Sequence, residues 1–491
     1  MTRAMDRVAF AAPDPAALDR LAERLGPKGF TRDAGDMAPW LTDWRGRSTG
    51  AALALVSPAS TEEVREVVRF AAAAGAPIVP QGGNSSMVAG ATPEGDGRAL
   101  LLSLRRMDRI RALSPEEGTA VAEAGVILER LHEAAAERGM RFPLSLGAKG
   151  SATVGGLAST NAGGTQVLRF GTMRGLVTGL EAVLPDGSLF AGLSPLRKDN
   201  RGYDLKQLLI GAEGTLGVVT AVGLRLVPLP GARAVAWAGL ASPHDALALL
   251  QRLERATGDA VESFELVPGA ALELVLAHVP GARRPLADDH PWHALIEMTA
   301  PAGAPDPAER LAELVAEALE SGLVRDATIA ASEAQAAALW RLREGVPEGE
   351  KADGPSLKHD VSVPVPAMPG FILSATAAVE RRFAGARVVA FGHLGDGNIH
   401  YSVRPPAGAD AARWMRAEGA AVTAFVHDLV GEADGSISAE HGIGRSKLAE
   451  LARTADPARL AAMRAIKRAL DPQGIMNPGK LVPLADAATA P

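Results

Sequence analysis

The chain has 491 residues, 47% of them hydrophobic, with 51 Lys and Arg against 57 Asp and Glu and a formal net charge of −6. That length suits two or three domains of roughly 150 residues each, and the mildly acidic, interspersed charge argues against a nucleic-acid binder, whose face is basic. Cysteine is absent, which excludes disulfides, thiolate nucleophiles, cysteinyl cofactor links and iron–sulfur clusters together, so any electrons taken up must leave to an external acceptor.

The first residues, Met1 to Arg7, lead into no apolar run of signal-peptide length, and Asp14 and Asp19 break the pattern. No stretch approaches the roughly 20 apolar residues of a membrane span. The expectation is a cytoplasmic, soluble protein. After an N-terminal segment, residues 1–50, short apolar runs alternate with helical patterns over 51–230. Ala51–Val56 reads as a strand, Thr61–Ala74 as a helix with Thr61 and Glu63 in its first turn, and Ala76–Val79 as a second strand. Val121–Ala124 and Leu180–Leu184 read as further strands, the latter closed by Pro185-Asp186-Gly187. The Val-, Leu- and Thr-rich run Gly217–Val227 stops at Pro228-Leu-Pro-Gly231, an expected domain hinge.

Beyond the hinge, residues 231–470 alternate helices (Pro307–Ser321, Ser332–Glu344, Met368–Phe383, Asp410–Val430) with strands such as Ala294–Met298 and Val388–Phe391. That pattern is α+β. The tail, 471–491, is broken by Pro472, Pro478 and Pro483 and reads as an extended strap.

Two glycine-rich segments stand out in the first domain. Pro80-Gln81-Gly82-Gly83-Asn84-Ser85-Ser86-Met87-Val-Ala-Gly90 follows a strand directly. Its paired glycines admit positive φ and let backbone N–H groups approach an anion, and Asn84, Ser85 and Ser86 add side-chain donors suited to a pyrophosphate. Neither GxGxxG nor GxxxxGK[ST] is present in it. The second runs from Leu146 through Gly147, Ala148, Ser151, Gly155, Gly156 and Asn161 to Gly163 and Gly164; a third piece, Gly211-Ala-Glu213-Gly-Thr-Leu-Gly217, precedes the last strand. Each alone suits an ordinary turn, but three together exceed what turns require.

These segments resemble the FAD-binding domain of the vanillyl-alcohol oxidase/p-cresol methylhydroxylase superfamily, and within it the D-2-hydroxyglutarate and D-lactate dehydrogenase branch. Pro80–Gly90, Gly147–Gly164 and Arg197–Gly211 carry the likeness, which extends from Trp44 to Lys480. The D-lactate enzymes more often have arginine where Gln81 stands. The resemblance implies FAD wrapped by residues 81–87 and 147–156, with Asn161, Gly163, Glu213, Gly217 and Val219 along it and Asn477 returning from the tail. The first loop has no histidine for a covalent link, so the FAD is expected to be dissociable.

In the second domain, Phe391-Gly-His393-Leu-Gly-Asp-Gly-Asn-Ile-His400-Tyr-Ser402 contains the hairpin signal Gly395-Asp-Gly-Asn398. Seven apart, the histidines would face opposite ways on one straight strand. Across a hairpin they share a side, which is the arrangement a divalent metal rewards. Ser438-Ala-Glu440-His441-Gly follows. Singly, each of these residues suits a structural hydrogen bond or a solvated acid. The resemblance implies a metal held by His393, His400 and Glu440, with open positions as in a catalytic site, Zn²⁺ first and Mn²⁺ second. A 2-hydroxy acid would chelate it through hydroxyl and carboxylate, His441 would take the hydroxyl proton, and the C2 hydride would pass to flavin N5.

By the same resemblance Arg343 and Lys358 line the substrate pocket, where a cation pairs with a second carboxylate and favours a dicarboxylate. Pro347 stands where the hydroxyglutarate enzymes often have threonine, and Ser402, beside the expected substrate, replaces a common asparagine. D-2-hydroxyglutarate leads, with D-lactate, D-malate and an O₂-using oxidase of the same fold as alternatives. A zinc hydrolase would account for the metal residues but not the glycine loops, and a flavin electron carrier the reverse. The expected acceptor is an electron-transferring flavoprotein or a quinone, and a homodimer is the family-level expectation.

Overall fold

Ser60, Thr61 and Glu63 begin the first long helix as their side chains dictate. The Ser60 hydroxyl accepts the Glu63 N–H at 3.2 Å, the Glu63 carboxylate accepts the Ala59 N–H at 2.7 Å, and Gly75 ends the helix in the left-handed region. Val64, Val67, Val68 and Ala71, spaced for one helical face, are buried. The structure, a computed structural model, describes residue 10, residues 13–194, residue 196 and residues 198–483. Arg197, which opens one of the family-like stretches, and residues 484–491 of the expected strap lie outside the described residues.

The chain divides into two units. The first comprises residues 1–163, 172–228 and 440–491, and the second residues 164–171 and 229–439. The expectation that 231–470 would form one body therefore differs from the observed grouping at two places. Gly164–Gly171 belongs with the second unit because Gln166 and Arg169 reach the buried Glu262 carboxylate at 2.7 and 3.2 Å. Residues 440–470 belong with the first, where the Lys467 ammonium is held by the Thr215 and Met476 carbonyls, both at 2.7 Å, and by Asp471.

In the first unit, Ala54–Val56, Leu100–Ser103 and Ile78–Gln81 pair in parallel, with Phe30–Thr31 antiparallel at the edge. A second sheet, antiparallel, runs Ile110–Ser114, Thr119–Glu123, Val218–Arg225, Val177–Val183, Leu189–Gly192. The strap, expected to be extended, is mostly turns and bends as far as it is described, with positive φ at Gly474, Asn477, Gly479 and Leu481; its one bridge is Met476 to Ile78 in parallel, beside which the Asn477 N–H donates to the Ile78 carbonyl at 2.8 Å.

The second unit is built on a seven-stranded antiparallel sheet, in the order Asp326–Ile329, Ala232–Leu240, Trp292–Ala300, Val261–Pro268, Arg387–His393, Asn398–Arg404, Leu357–Ser362. Its two faces bury different cores. One carries Ala236, Phe264, Leu266, Ile296, Ile399 and Tyr401 with residues of the helices Pro243–Thr257, Pro307–Glu320 and Met368–Arg382. The other carries Val235, Trp237, Val267, Leu295, Val389 and Phe391 with residues of Gly269–His278 and Glu333–Glu344. His293 shares that second face, and its Nδ1 accepts the Trp237 indole N–H at 3.1 Å.

Burial, reinforced by nearby His290 and Arg284, lowers the His293 pKa to about 4. The folded state thus binds fewer protons than the unfolded chain between about 6.5 and about 4. Its contribution is present above that window and is lost as pH falls through it. Urea unfolding of the wild type and of His293→Gln across this range should show the stability difference shrinking by up to about 1.4 kcal/mol per pH unit. Parallel profiles would contradict this reading of His293.

Candidate active site

Two constellations emerge, one in each unit. In the first unit the glycine-rich loops meet because neither has side chains in the way. A Cβ at Gly82 would overlap the Thr153 hydroxyl, and one at Gly83 would overlap the Ser151 carbonyl oxygen. Gly155 backs onto Ala124 at 2.5 Å for the same added atom. The buried Gln81 amide donates to the Trp40 and Ala91 carbonyls at 3.0 and 2.9 Å, and Asn84, at φ 52°, donates to the Thr42 carbonyl. Ser86 accepts the Gly90 N–H at 3.1 Å. The Ser151 hydroxyl donates to the Ala148 carbonyl, closing the turn that Gly147 enters.

Glu213 and Asn477, expected along the cofactor, form the junction that joins these loops to the returning chain. The buried Glu213 carboxylate accepts the N–H groups of Ile443 and Gly444 at 2.8 and 2.7 Å. Burial raises its pKa, against the pull of those two N–H groups. The Asn477 amide donates to the Gly90 and Glu213 carbonyls at 2.9 and 2.6 Å. Asn161 is in the left-handed region, and its side-chain oxygen accepts from Thr172 and from the Arg174 N–H. Val219 is buried in a strand opposite Ala182, and Gly217 sits just before that strand. Gly163 is the last residue of the first unit before the chain crosses.

The fit to a cofactor rests on two atoms. Gln81 Oε1 and Asn477 Oδ1 are buried acceptors that lack a hydrogen-bond partner among the described residues. Such acceptors are costly unless something donates to them. Gln81 stands at the head of the first glycine-rich loop and Asn477 is bonded to Gly90 at its end, so a group bearing N–H donors beside that loop would satisfy both.

In the second unit the hairpin places its histidines as the alternation requires. His393 pairs with Asn398 and His400 with Phe391 in the register, and the two imidazole centroids are 5.4 Å apart at 80°. Lys358 and Ser402 are cross-strand partners, as are Asp360 and His400. His400 Nδ1 lies 3.9 Å from Asp360 Oδ1. All seven therefore share the face that also carries Glu265, the register partner of His393.

Glu265, which the sequence reading passed over, holds this face together. One carboxylate oxygen accepts from His393 Nδ1 at 2.6 Å and the other from Arg343 Nε at 2.7 Å. Burial alone would raise the Glu265 pKa, but Arg343 and His393 override it and hold the carboxyl well below the usual range. The Arg343 guanidinium lies over the Phe391 ring, 4.9 Å from its centroid. Lys358 Nζ is held at 2.8 Å by Glu350, a second buried acid, whose other oxygen has no partner among the described residues. The sequence signal for Glu265 is an acid flanked by Phe264 and Leu266 in the run Val261–Pro268, which also holds Glu262 and Ser263.

The second unit ends at Ala439, whose N–H donates to the Asp360 carbonyl at 3.4 Å. Glu440 and His441 follow at once, at the head of the stretch that returns to the first unit. Among the described residues no helix is long and apolar enough to cross a membrane.

Comparison with known proteins also puts a boundary at residue 229, but it carries residues 440–481 with 229–439, which the structure groups with the first unit. Residues 52–191 match a family described as FAD binding domain, and residues 229–481 one described as FAD linked oxidases, C-terminal domain. D-2-hydroxyglutarate dehydrogenase of Xanthomonas citri pv. viticola is 39% identical, over 97% of this chain and 98% of its own. The mitochondrial D-2-hydroxyglutarate dehydrogenase of Bos taurus is 38% identical, over 94% of this chain and 82% of its own. Among solved structures, p-cresol methylhydroxylase with substrate bound superposes with a TM-score of 0.73 at 17% identity, over 97% of this chain and 99% of that one, which shows a shared fold.

Gly83→Ala tests the loop packing. The added methyl meets a backbone oxygen that cannot swing aside, at a cost of about 1–3 kcal/mol. The variant should purify with flavin affinity reduced roughly tenfold or more, read as flavin absorbance per chain during dialysis. Full retention would mean that the loops separate freely.

Proposed function

This chain belongs to the D-2-hydroxyglutarate dehydrogenase family of FAD-linked oxidases, and from that premise we propose that it oxidises D-2-hydroxyglutarate to 2-oxoglutarate at a metal-assisted site. One observation carries the substrate reading. The buried Glu265 carboxylate joins His393, an expected metal ligand, to Arg343, an expected partner of a substrate carboxylate. A metal-binding end and a carboxylate-pairing cation thus sit on one face of one unit, as a substrate with two carboxylates requires.

The residues take the following roles. Gln81–Met87, Gly147–Gly156 and Asn477 hold FAD without a covalent bond; the orphaned acceptors of Gln81 and Asn477 support this. His393, His400 and Glu440 offer two imidazoles and a carboxylate, the donor set of an open, catalytic divalent site, Zn²⁺ before Mn²⁺. Glu440 follows directly on Ala439, whose N–H donates to the carbonyl of Asp360, the register partner of His400. When bound, FAD supplies a two-electron acceptor and the divalent ion a positive charge for the hydroxyl and neighbouring carboxylate of a 2-hydroxy acid.

His441 takes the hydroxyl proton, a role for which an imidazole pKa near the working pH is suited. Arg343 keeps Nε on Glu265 and turns its remaining N–H groups to the far carboxylate. Those Nη groups make no hydrogen bond among the described residues. Lys358 supplies a second cation, with Ser402 beside it across the strand pair. The electrons leave to an external acceptor, an electron-transferring flavoprotein or a quinone.

An anaerobic screen of D- and L-2-hydroxyglutarate, malate and lactate decides between substrates. D-2-hydroxyglutarate should bleach the bound flavin fastest, with D-malate next and the L-enantiomers inert. Faster bleaching by D-lactate would replace the dicarboxylate reading by the monocarboxylate one. His393→Ala should keep its flavin and lose its divalent metal, with turnover falling by about 10²-fold or more. Full activity of that variant after chelator treatment would remove the metal from the account.

A further inference from the structure

Glu265 has no exposed surface, lies mid-strand between apolar neighbours, and uses both carboxylate oxygens on different partners. A buried ion pair is poor value as a source of stability, since well-packed apolar residues of similar volume do as well or better. An acid kept there needs another reason, and the geometry points to orientation. We propose that Glu265 is the positioning residue of this active site, fixing the His393 ring for metal coordination and tying that ring to Arg343, so that metal binding and recognition of the substrate's far carboxylate depend on one carboxylate.

His393 Nδ1 is engaged by Glu265 Oε1 at 2.6 Å, so the nitrogen for a metal is Nε2. A carboxylate behind a ligating imidazole fixes its tautomer and ring plane and strengthens it as a ligand. The strand pairing adds rigidity, because Glu265 and His393 are direct register partners on adjacent strands. The second oxygen holds Arg343 through Nε alone, at 2.7 Å, and Phe391 lies under the guanidinium. Nε anchoring fixes the plane of the fork while leaving both Nη groups for a bidentate carboxylate. Phe391 is in turn the register partner of His400, so the support of both histidines and of the arginine runs through two neighbouring residues.

The inference rests on the metal reading above, and the test separates the two. Zn²⁺ affinity and FAD content are measured on the full-length wild type, Glu265→Gln and the double variant Glu265→Gln/Arg343→Met. An amide at 265 cannot accept from both partners, so one hydrogen bond is lost. The double variant removes the arginine that Glu265→Gln would leave buried and uncompensated, and so guards against simple misfolding. Expected are wild-type FAD content and a Zn²⁺ dissociation constant raised about 10–100-fold in both variants. The d–d spectrum of the Co²⁺-loaded protein should shift as the ring loses its fixed orientation. In Glu265→Gln, KM for D-2-hydroxyglutarate should rise more than KM for D-lactate. Either variant, folded and binding Zn²⁺ like the wild type, overturns the positioning role while leaving the metal reading intact. A wild type that takes up no divalent metal overturns both.

Discussion

A carboxylate shut off from water must be paired, and Glu265 is paired on both oxygens. Much of the second unit can be read as what that pairing demands. The acid is on the sheet face opposite the large aliphatic core, its cross-strand neighbour is His393, and the helix Glu333–Glu344 ends where Arg343 can reach it. If the register slipped by one residue, Glu265 would face Phe264's core and both histidines would turn away from their partners. The sheet register, the arginine and the histidine pair therefore stand or fall together.

The first unit solves a different problem, that of holding loops without side-chain bulk. Gly82, Gly83 and Gly155 allow the two loops to touch, and contacts from distant stretches of chain then lock them. Glu213 clamps Ile443 and Gly444, while Asn477 ties Gly90 to Glu213. The residues just after Glu440 and His441 are thereby fixed on the same unit as the glycine-rich loops. Lys467, buried with three oxygen partners, anchors the strap from which Asn477 comes. These groups act on the cofactor region through the backbone they hold.

What could be read in the sequence was local or carried by motif. Thr61–Ala74 is helical over the expected span because its cap, its apolar spacing and Gly75 all agree. The turn at Gly395–Asn398 brought His393 and His400 to one side, as period-two alternation about a hairpin requires. What could not be read depended on distant partners. Nothing near Gly164–Gly171 reveals that Gln166 and Arg169 will reach Glu262, nor does anything near residue 440 show that the chain returns to Glu213. Arg343 was expected to face substrate; that its Nε is bound to an acid 78 positions earlier is a fact of the sheet. Glu265 itself is one of two acids, with Glu262, in the strand Val261–Pro268. Such misplaced charges are the places where a sequence departs from its own pattern for a functional reason.

The central claim is that two imidazoles and a carboxylate from His393, His400 and Glu440 hold a divalent ion in this flavoprotein. Zinc-edge X-ray absorption on the purified, flavin-loaded chain tests it most directly. The account predicts about one zinc per chain, with two imidazole nitrogens at about 2.0–2.1 Å and oxygen completing the shell. A zinc shell without imidazole scattering, or one unchanged in His393→Ala, would contradict it.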